Sequence, residues 1–407
     1  MGDTISQERN KRRVVTCAKE DIISNLPEHL IDSILERVPL EEAVRTSILS
    51  KNWRHRWTKM GALAFDEQFF KKYTKNGAFG RNGFIRIINK VLILHNGPIS
   101  KFLLHIPNMN MFLDCFEEVD QWMLLLSRNG VKELILTNSN QRYQLPSYVF
   151  SCLELTKLKM KHCFFKPPLN FEGFLNLEDL NLRCIDFGAN LCGTQINLPQ
   201  LKKLSLHKCT NVYNFDIKAT KLEKLTVIAC PDAILTTMLS NMTKIKCFFV
   251  DAQFLKIFTA ENIPKWVPQP INSLTRLWFQ KFQLGDLHQL NGALCLLRNS
   301  PNLKTLGMHL EMKHGGNVGP ASSILESPNC LDISNRLQTV KIDCLQGSKP
   351  ELLFVKLLLA HSSSLQKFTI TPSRALDVKK ILDISKDVMR FSRASPKAEM
   401  IYLNPKP

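Results

Sequence analysis

The sequence predicts an α/β chain in unequal parts: a small three-helix module, then a solenoid of short parallel strands closed by an α/β cap. Two observations carry this expectation. Near the amino terminus, apolar residues recur at helical spacing between two prolines. Further on, the pattern L-x-x-L-x-L-x-x-C returns at intervals of 20 to 24 residues through the centre of the chain, stretching to about 30 on its flanks. A fixed period of that size marks stacked repeats that each contribute one strand.

Composition bounds what such a chain can be. Its 407 residues are 44% hydrophobic and 22% charged, an ordinary globular balance with ample material for a core. The formal charge of +18 favours acidic partners. Because the cations are scattered and form no block, a generally basic surface is a better reading than a dedicated nucleic-acid site. The twelve cysteines contain no C-x-x-C pair, and MGDTISQERNKRRVVTCAKE has no apolar signal segment. Reduced thiols in the nucleus and/or cytoplasm are therefore expected. No apolar run reaches the roughly 18 residues needed to span a bilayer, so no membrane partner is expected. Residues 1–19 read as a disordered polar tail; its RNKRR stretch is either a nuclear localisation signal or a solvated terminus.

Residues 20–60 form the helical module. Pro27 suits a first helical position, and Leu30, Ile31, Ile34, Leu35 and Val38 follow at helical spacing until Pro39 stops the helix. A second helix fits Leu40 to Ser50, with Ala43, Val44, Ser47 and Ile48 on one face. A third would carry Trp53 and Trp57, an i, i+4 pair on one side. So short a module needs a neighbour or partner to be stable. The basic residues among the tryptophans raise nucleic-acid binding as an alternative, but a helix that buries its Trp face and solvates its cations shows the same pattern.

At this point a resemblance becomes specific. SNLPEHLIDSIL, VPLEEAVRTSILSKNWRHRW and the ungapped stretch they share, about Asp21 to Trp57, resemble a plant F-box. The resemblance implies docking to a Skp-type adaptor and, through it, to the cullin scaffold of an SCF-type ubiquitin ligase. It assigns adaptor contacts to Leu26, Pro27, Leu30, Ile31, Ile34 and Leu35, with Val44 and Ile48 sharing that surface. Some of these residues must instead build the module's own core.

Residues 61–98 read as a linker and the amino-terminal cap of the solenoid, with Phe84 to Leu94 covering its end. Leucine-rich repeats occupy 99–335. The clean copies place Leu155, Leu158, Met160 and Cys163, then Leu201, Leu204, Leu206 and Cys209, then Leu222, Leu225, Val227 and Cys230. Looser copies start at Ile99, Val131, Leu177, Met242, Leu274 and Leu303, with Leu337 and Leu365 continuing the pattern beyond. Phe116, Val119, Trp122, Met123 and Leu126 predict a helix between two strands, and the Gly-, Ser- and Asn-rich stretch 311–334 predicts a mobile loop. Strand side chains alternate, so the leucines face inward and the residues between them line the concave side of a horseshoe. In four central repeats those residues include Lys157, Lys159, Lys161, Arg183, Lys203, His207 and Lys224, against the single acid Asp179. This strip either binds an acidic or phosphorylated segment of a protein target or is the solvated face of a basic protein.

Residues 336–407 continue with a strand, a helix from Pro350 to His361, another strand, a further helix and a last apolar strand. That order, with VKLLLAHSSSLQKFTI and FSRASPKAEM, resembles the FBD region of plant F-box proteins. Its expected role is to close the array. Together the three parts resemble the plant F-box/FBD/LRR-repeat family. No phosphate loop, zinc helix or nucleophile elbow occurs, so the chain is expected not to be an enzyme and to need no cofactor or metal. The function implied is substrate recognition in an SCF-type ligase. The alternative is a repeat-based scaffold that pairs with a Skp-type adaptor without ubiquitin transfer.

Overall fold

The computed structural model describes residues 26–74, 81–108, 116–188, 195–212, 215–231, 244–260, 270–311, 319–327 and 336–405. The polar tail 1–19, its RNKRR stretch and the first residues of the F-box-like stretch lie outside them. The chain divides into two units, one made of residues up to Gly61 with Lys90–Gly97, the other of Ala62–Asn89 with Pro98 onward.

In the first unit, Pro27 takes the position just before helix α1 (Glu28–Leu35), one residue earlier than expected, and Pro39 likewise precedes α2 (Leu40–Arg45). Each proline has φ near −55°, the value its ring imposes, and offers no N–H that the helix would leave unpaired. The expected longer helices are not formed. α2 gives way to a 3₁₀ turn at Thr46–Ile48, and the tryptophans sit in turns ending in a second 3₁₀ turn at Arg56–Lys59. Local hydroxyl chemistry accounts for the change at Thr46, whose Oγ1 donates to the Ala43 carbonyl at 2.6 Å. Trp53 and Trp57 still point inward and join Ile31, Leu35, Leu40, Ala43 and Met60 in a small core. Arg56 closes the turn against α1 through an ion pair with Glu28, with Asp32 at 4.0 Å. The segment after Lys90 is tied to this unit by the Asn96 amide on the Thr58 carbonyl (2.7 Å) and by His95 Nε2 against the Met60 carbonyl (2.9 Å).

The second unit is organised by one sheet of thirteen strands, all parallel, in which every strand lies beside the next in sequence. They are β1 (Ala62–Phe65), β2 (Lys101–Ile106), β3 (Glu133–Asn138), β4 (Lys157–Lys161), β5 (Asp179–Arg183), β6 (Lys203–His207), β7 (Lys224–Ile228), β8 (Cys247–Asp251), β9 (Arg276–Phe282), β10 (Thr305–Leu310), β11 (Thr339–Leu345), β12 (Lys367–Pro372) and β13 (Glu399–Tyr402). The sheet starts earlier than the repeat pattern. β1 is only ALAF, too short to display the repeat spacing, yet it pairs Ala62 with Lys101 and Phe65 with Leu104. The copy expected from Met242 starts outside the described residues; β8 is phased from Ile245, with Phe248 and Val250 inward, three residues later than expected.

In β2 to β6 buried residues alternate with less buried ones, so the leucine positions stack beneath the sheet while the residues between them line its open face; β7, β10 and β12 also bury residues of the outward phase, such as Thr226 and Thr369. The repeat's cysteines extend this core. Cys163, Cys209 and Cys230 are buried, and each sulfur approaches the carbonyl two residues back at 3.4–3.6 Å. Just after β4 to β7, His162, Cys184, Lys208 and Ala229 adopt φ of 51–58°. The first three of these still donate their amides to the next strand, so the ladder continues through the turn.

What lies beneath the sheet follows repeat length. The short central repeats carry turns, a 3₁₀ turn at Ser147–Ser151 and two short parallel pairings, Tyr143–Gln144 with Cys163–Phe164 and Ile196–Asn197 with Ile217–Lys218. They bury a phenylalanine cluster in which Phe165 meets Phe150, Phe187 and Phe215 at 5.2–5.9 Å. Longer flanking repeats carry helices: α3 (Glu67–Thr74), α4 (Arg81–Leu94, whose residues from Lys90 onward belong to the first unit), α5 (Phe116–Arg128), α6 (Ala252–Ala260), α7 (Leu287–Arg298), α8 (Gly319–Glu326), α9 (Lys349–His361) and α10 (Val378–Met389). α5 buries Val119, Trp122, Met123 and Leu126 as its spacing predicts. α8 corrects the expectation of a loop over 311–334: GPASSILE is helical and buries Ala321, Ser322 and Leu325, while 312–318 and 328–334 lie outside the described residues. α9 begins in a capping box in which the buried Glu351 carboxylate accepts the amides of Gln346 and Ser348 at 2.9 and 3.1 Å. Gly347, with φ of 76°, has the side chain of Ile384 from α10 lying where a Cβ would stand.

Candidate functional site

Two surfaces, one on each unit, hold the residues that the sequence singles out. On the first unit, α1 is too short to bury all its aliphatic residues against so small a core. Ile31 and Leu35, an i, i+4 pair, turn inward at 1% and 0% exposure. They hold the unit together and are withdrawn from the contact surface, which corrects their assignment as adaptor contacts. Leu30 and Ile34 occupy the neighbouring stripe of the same helix and are each 42% exposed. Pro27 is exposed and Leu26 half-buried at the start of that helix. Val44 is exposed on α2, and Ile48 reaches 88% exposure beside Leu49 at 54%. Leu49 is the residue that sequence reasoning missed. Its signal was present in SILSK, where an outward Ile48 is followed directly by a second large aliphatic side chain. Left in water, such a row costs about 1.5–3 kcal/mol per side chain relative to burial, which is the driving force for covering it.

On the second unit, strand register assembles the basic residues into rows across the open face. One row runs Glu133, Lys157, Asp179, Lys203, Lys224; the next Ile135, Lys159, Asn181, Ser205, Thr226; the third Thr137, Lys161, Arg183, His207, Ile228. The parallel pairing therefore brings all seven predicted strip residues together over four adjacent strands. They are not equivalent in charge balance. Lys157 shares Glu133 with Lys101, both at 3.6 Å. Lys161 contributes to holding the Glu67 carboxyl below its ordinary range, after the closer Lys71. Among the described residues, Lys159, Arg183 and Lys203 have no ion-pair partner. Burial first, and the Arg183 guanidinium second, hold the His207 imidazole below the usual histidine range, so at neutral pH it is uncharged.

The same face carries a feature outside the predicted strip. Next to Thr226 in the middle row come Phe249 of β8 and Trp278 of β9. Their planes are 7° apart with centroids at 6.0 Å, so the rings lie parallel and offset, not superposed. Lys224 Nζ lies 5.0 Å from the Phe249 ring and Lys341 Nζ 5.7 Å from the indole, both within cation–π range. Sequence reasoning stopped at four repeats. The signal was an aromatic at the outward phase of KCFFVD and of TRLWFQ.

Among the described residues no group of three histidine, cysteine or carboxylate side chains is placed to hold a metal. No helix there is long and apolar enough to cross a membrane.

Comparison with known proteins agrees with this geometry. Residues 23–62 match the F-box domain model, and residues 91–265 match the model described as At1g61320/AtMIF1, LRR domain. The F-box/FBD/LRR-repeat protein At1g13570 of Arabidopsis thaliana is 29% identical, over 94% of this chain and 98% of its own length. F-box/FBD/LRR-repeat protein At2g04230 of the same plant is 32% identical over 51% of this chain and 47% of its own. The FBD-associated F-box protein At5g38590, also from that plant, is 26% identical over 87% and 94%.

Proposed function

We propose that the chain, which carries F-box and leucine-rich-repeat domains and is similar along its length to plant F-box/FBD/LRR-repeat proteins, is the target-recognition subunit of a Skp–cullin–F-box ubiquitin ligase. Both matched models are interaction domains, and no catalytic domain is among them. An F-box binds a Skp-type adaptor, and a leucine-rich-repeat domain binds proteins. In this reading the adaptor covers Leu26, Pro27, Leu30, Ile34, Val44, Ile48 and Leu49, and a cullin joins through the adaptor. The protein target lies on the open face of the sheet, against Lys157, Lys159, Lys161, Arg183, Lys203, His207 and Lys224. The FBD region closes the horseshoe, and the complex works in the nucleus and/or cytoplasm. The chain contributes proximity and no bond chemistry: it holds a target near a charged conjugating enzyme.

The observation that carries the proposal is the exposed aliphatic row of the first unit, a surface with no use in the isolated chain and a strong one in a complex. The test is co-purification with a Skp-type adaptor and cullin, comparing the native chain with an Ile34→Glu, Ile48→Glu double variant. Both positions are exposed, so the variant is expected to keep the native melting temperature. Losing two buried aliphatic contacts costs about 3–6 kcal/mol, a hundredfold or more in adaptor affinity. Adaptor capture without cullin would support the scaffold reading instead. Undiminished capture by the variant would remove the assigned surface.

A further inference from the structure

We propose that the open face of the sheet reads its target in two parts: an acidic run on the strip around Lys159, Arg183 and Lys203, and an aromatic or large aliphatic side chain on the Phe249–Trp278 platform. This rests on the reading that the open face holds the target, and adds the chemistry of the segment it takes.

Three features of the platform support it. First, the rings face outward. Phe249 and Trp278 alternate with the buried Phe248 and Val250, and Leu277 and Phe279, so neither belongs to the core beneath the sheet. Second, the backbone makes room for the indole. Trp278 pairs with Gly307 of β10, and a Cβ at 307 would stand only 2.2–2.5 Å from Cε3, Cδ2 and Cε2 of the indole. Any other residue there would lift the indole off the sheet, so the flat seat of Trp278 depends on that glycine. Third, the charges around the platform suit an acidic segment and disfavour a basic one. Lys224 stands at one end with no ion-pair partner among the described residues, and Lys341 stands at the other in a pair with Asp343. The nearby carboxylates are already engaged: Asp251 accepts the amides of Ala229 and Phe254, and Asp343 is held by Lys341 at 2.9 Å and by Thr371 at 2.8 Å.

Geometry sets the spacing of the two parts. From Lys159 on β4 to Trp278 on β9 the middle row crosses five strand steps. At about 4.8 Å per step this is about 24 Å. An extended peptide running across the strands at about 3.4 Å per residue covers it in about seven residues. The occupant is thus an extended acidic segment whose apolar anchor lies about seven positions from its acidic run.

The test is selection of a phage-displayed random twelve-residue peptide library on the full-length chain. Two variants run in parallel: Gly307→Ala, which displaces the indole while keeping every charge, and Lys159→Glu, Lys203→Glu, which reverses the strip. Phe249→Leu serves as a second platform variant should Gly307→Ala melt early. The expected result is enrichment of peptides that pair an acidic run with an aromatic or large aliphatic residue about seven positions away. The platform variant should bind them about tenfold more weakly and lose the apolar preference alone, whereas the strip variant should lose the acidic preference. Acidic peptides with no apolar preference, or a preference that survives both platform variants, would overturn the platform and leave the strip standing. Peptides unaffected by the strip variant would overturn the target-binding reading of this face, and the platform with it.

Discussion

Ile31 and Ile34 are three residues apart on one short helix and do opposite work. Replacing Ile31 by Ala opens a cavity in the small core of the first unit and is expected to cost about 2–4 kcal/mol in thermal or urea unfolding. Replacing Ile34 by Ala is expected to change stability by about 0.5 kcal/mol or less and to weaken adaptor capture. Sequence periodicity placed both on the apolar stripe but had no means of dividing it, because the division depends on which side Trp53 and Trp57 fill. His207 offers a second check at this scale. Its imidazole is held below the usual range of about 6.5, so the unfolded chain takes up its proton at a higher pH than the folded one. Stability contributed by the neutral ring is present above pH 6.5 and is lost as pH falls from there through the folded value. A His207→Gln variant should therefore lose less stability than the native chain between pH 7.5 and 5.5, measured by urea unfolding.

At the scale of the element, what was legible followed from periodicity. Strands with alternating burial, and helices such as α5 with a full apolar stripe, announce themselves because each inward residue repeats at a fixed interval. β1 and α8 were not legible. Four residues hold barely two inward positions, and the small residues of GPASSILE pack against their neighbours without the bulky side chains that mark a helix. The face proposed for the target was legible only in part. Its lysines stood out by charge, whereas Phe249 and Trp278 acquire meaning only when adjacent strands bring their rings together. α9 carries a prediction of its own. Glu351→Ala leaves the amides of Gln346 and Ser348 without their acceptor and should cost about 2 kcal/mol, read as a lowered melting temperature. Glu351→Gln keeps one oxygen acceptor at that position and should lose about half as much.

Across the whole molecule, each internal strand of the sheet has two neighbours and each end strand has one. In such an array stability is close to a sum over adjacent pairs, so opening begins at the ends. By hydrogen exchange, the amides of Glu399–Tyr402 are expected to lose protection well before those of Lys203–His207. The sequential strand order has one more consequence. Parallel sheets usually unite strands distant in sequence, yet here paired residues are separated by as few as 21 positions, Lys203 with Lys224, and by 39 where Ala62 meets Lys101. A chain leaving the ribosome from its amino terminus never has to wait for a remote partner. Each new strand finds its template already laid down, and the open face is assembled strand by strand during synthesis.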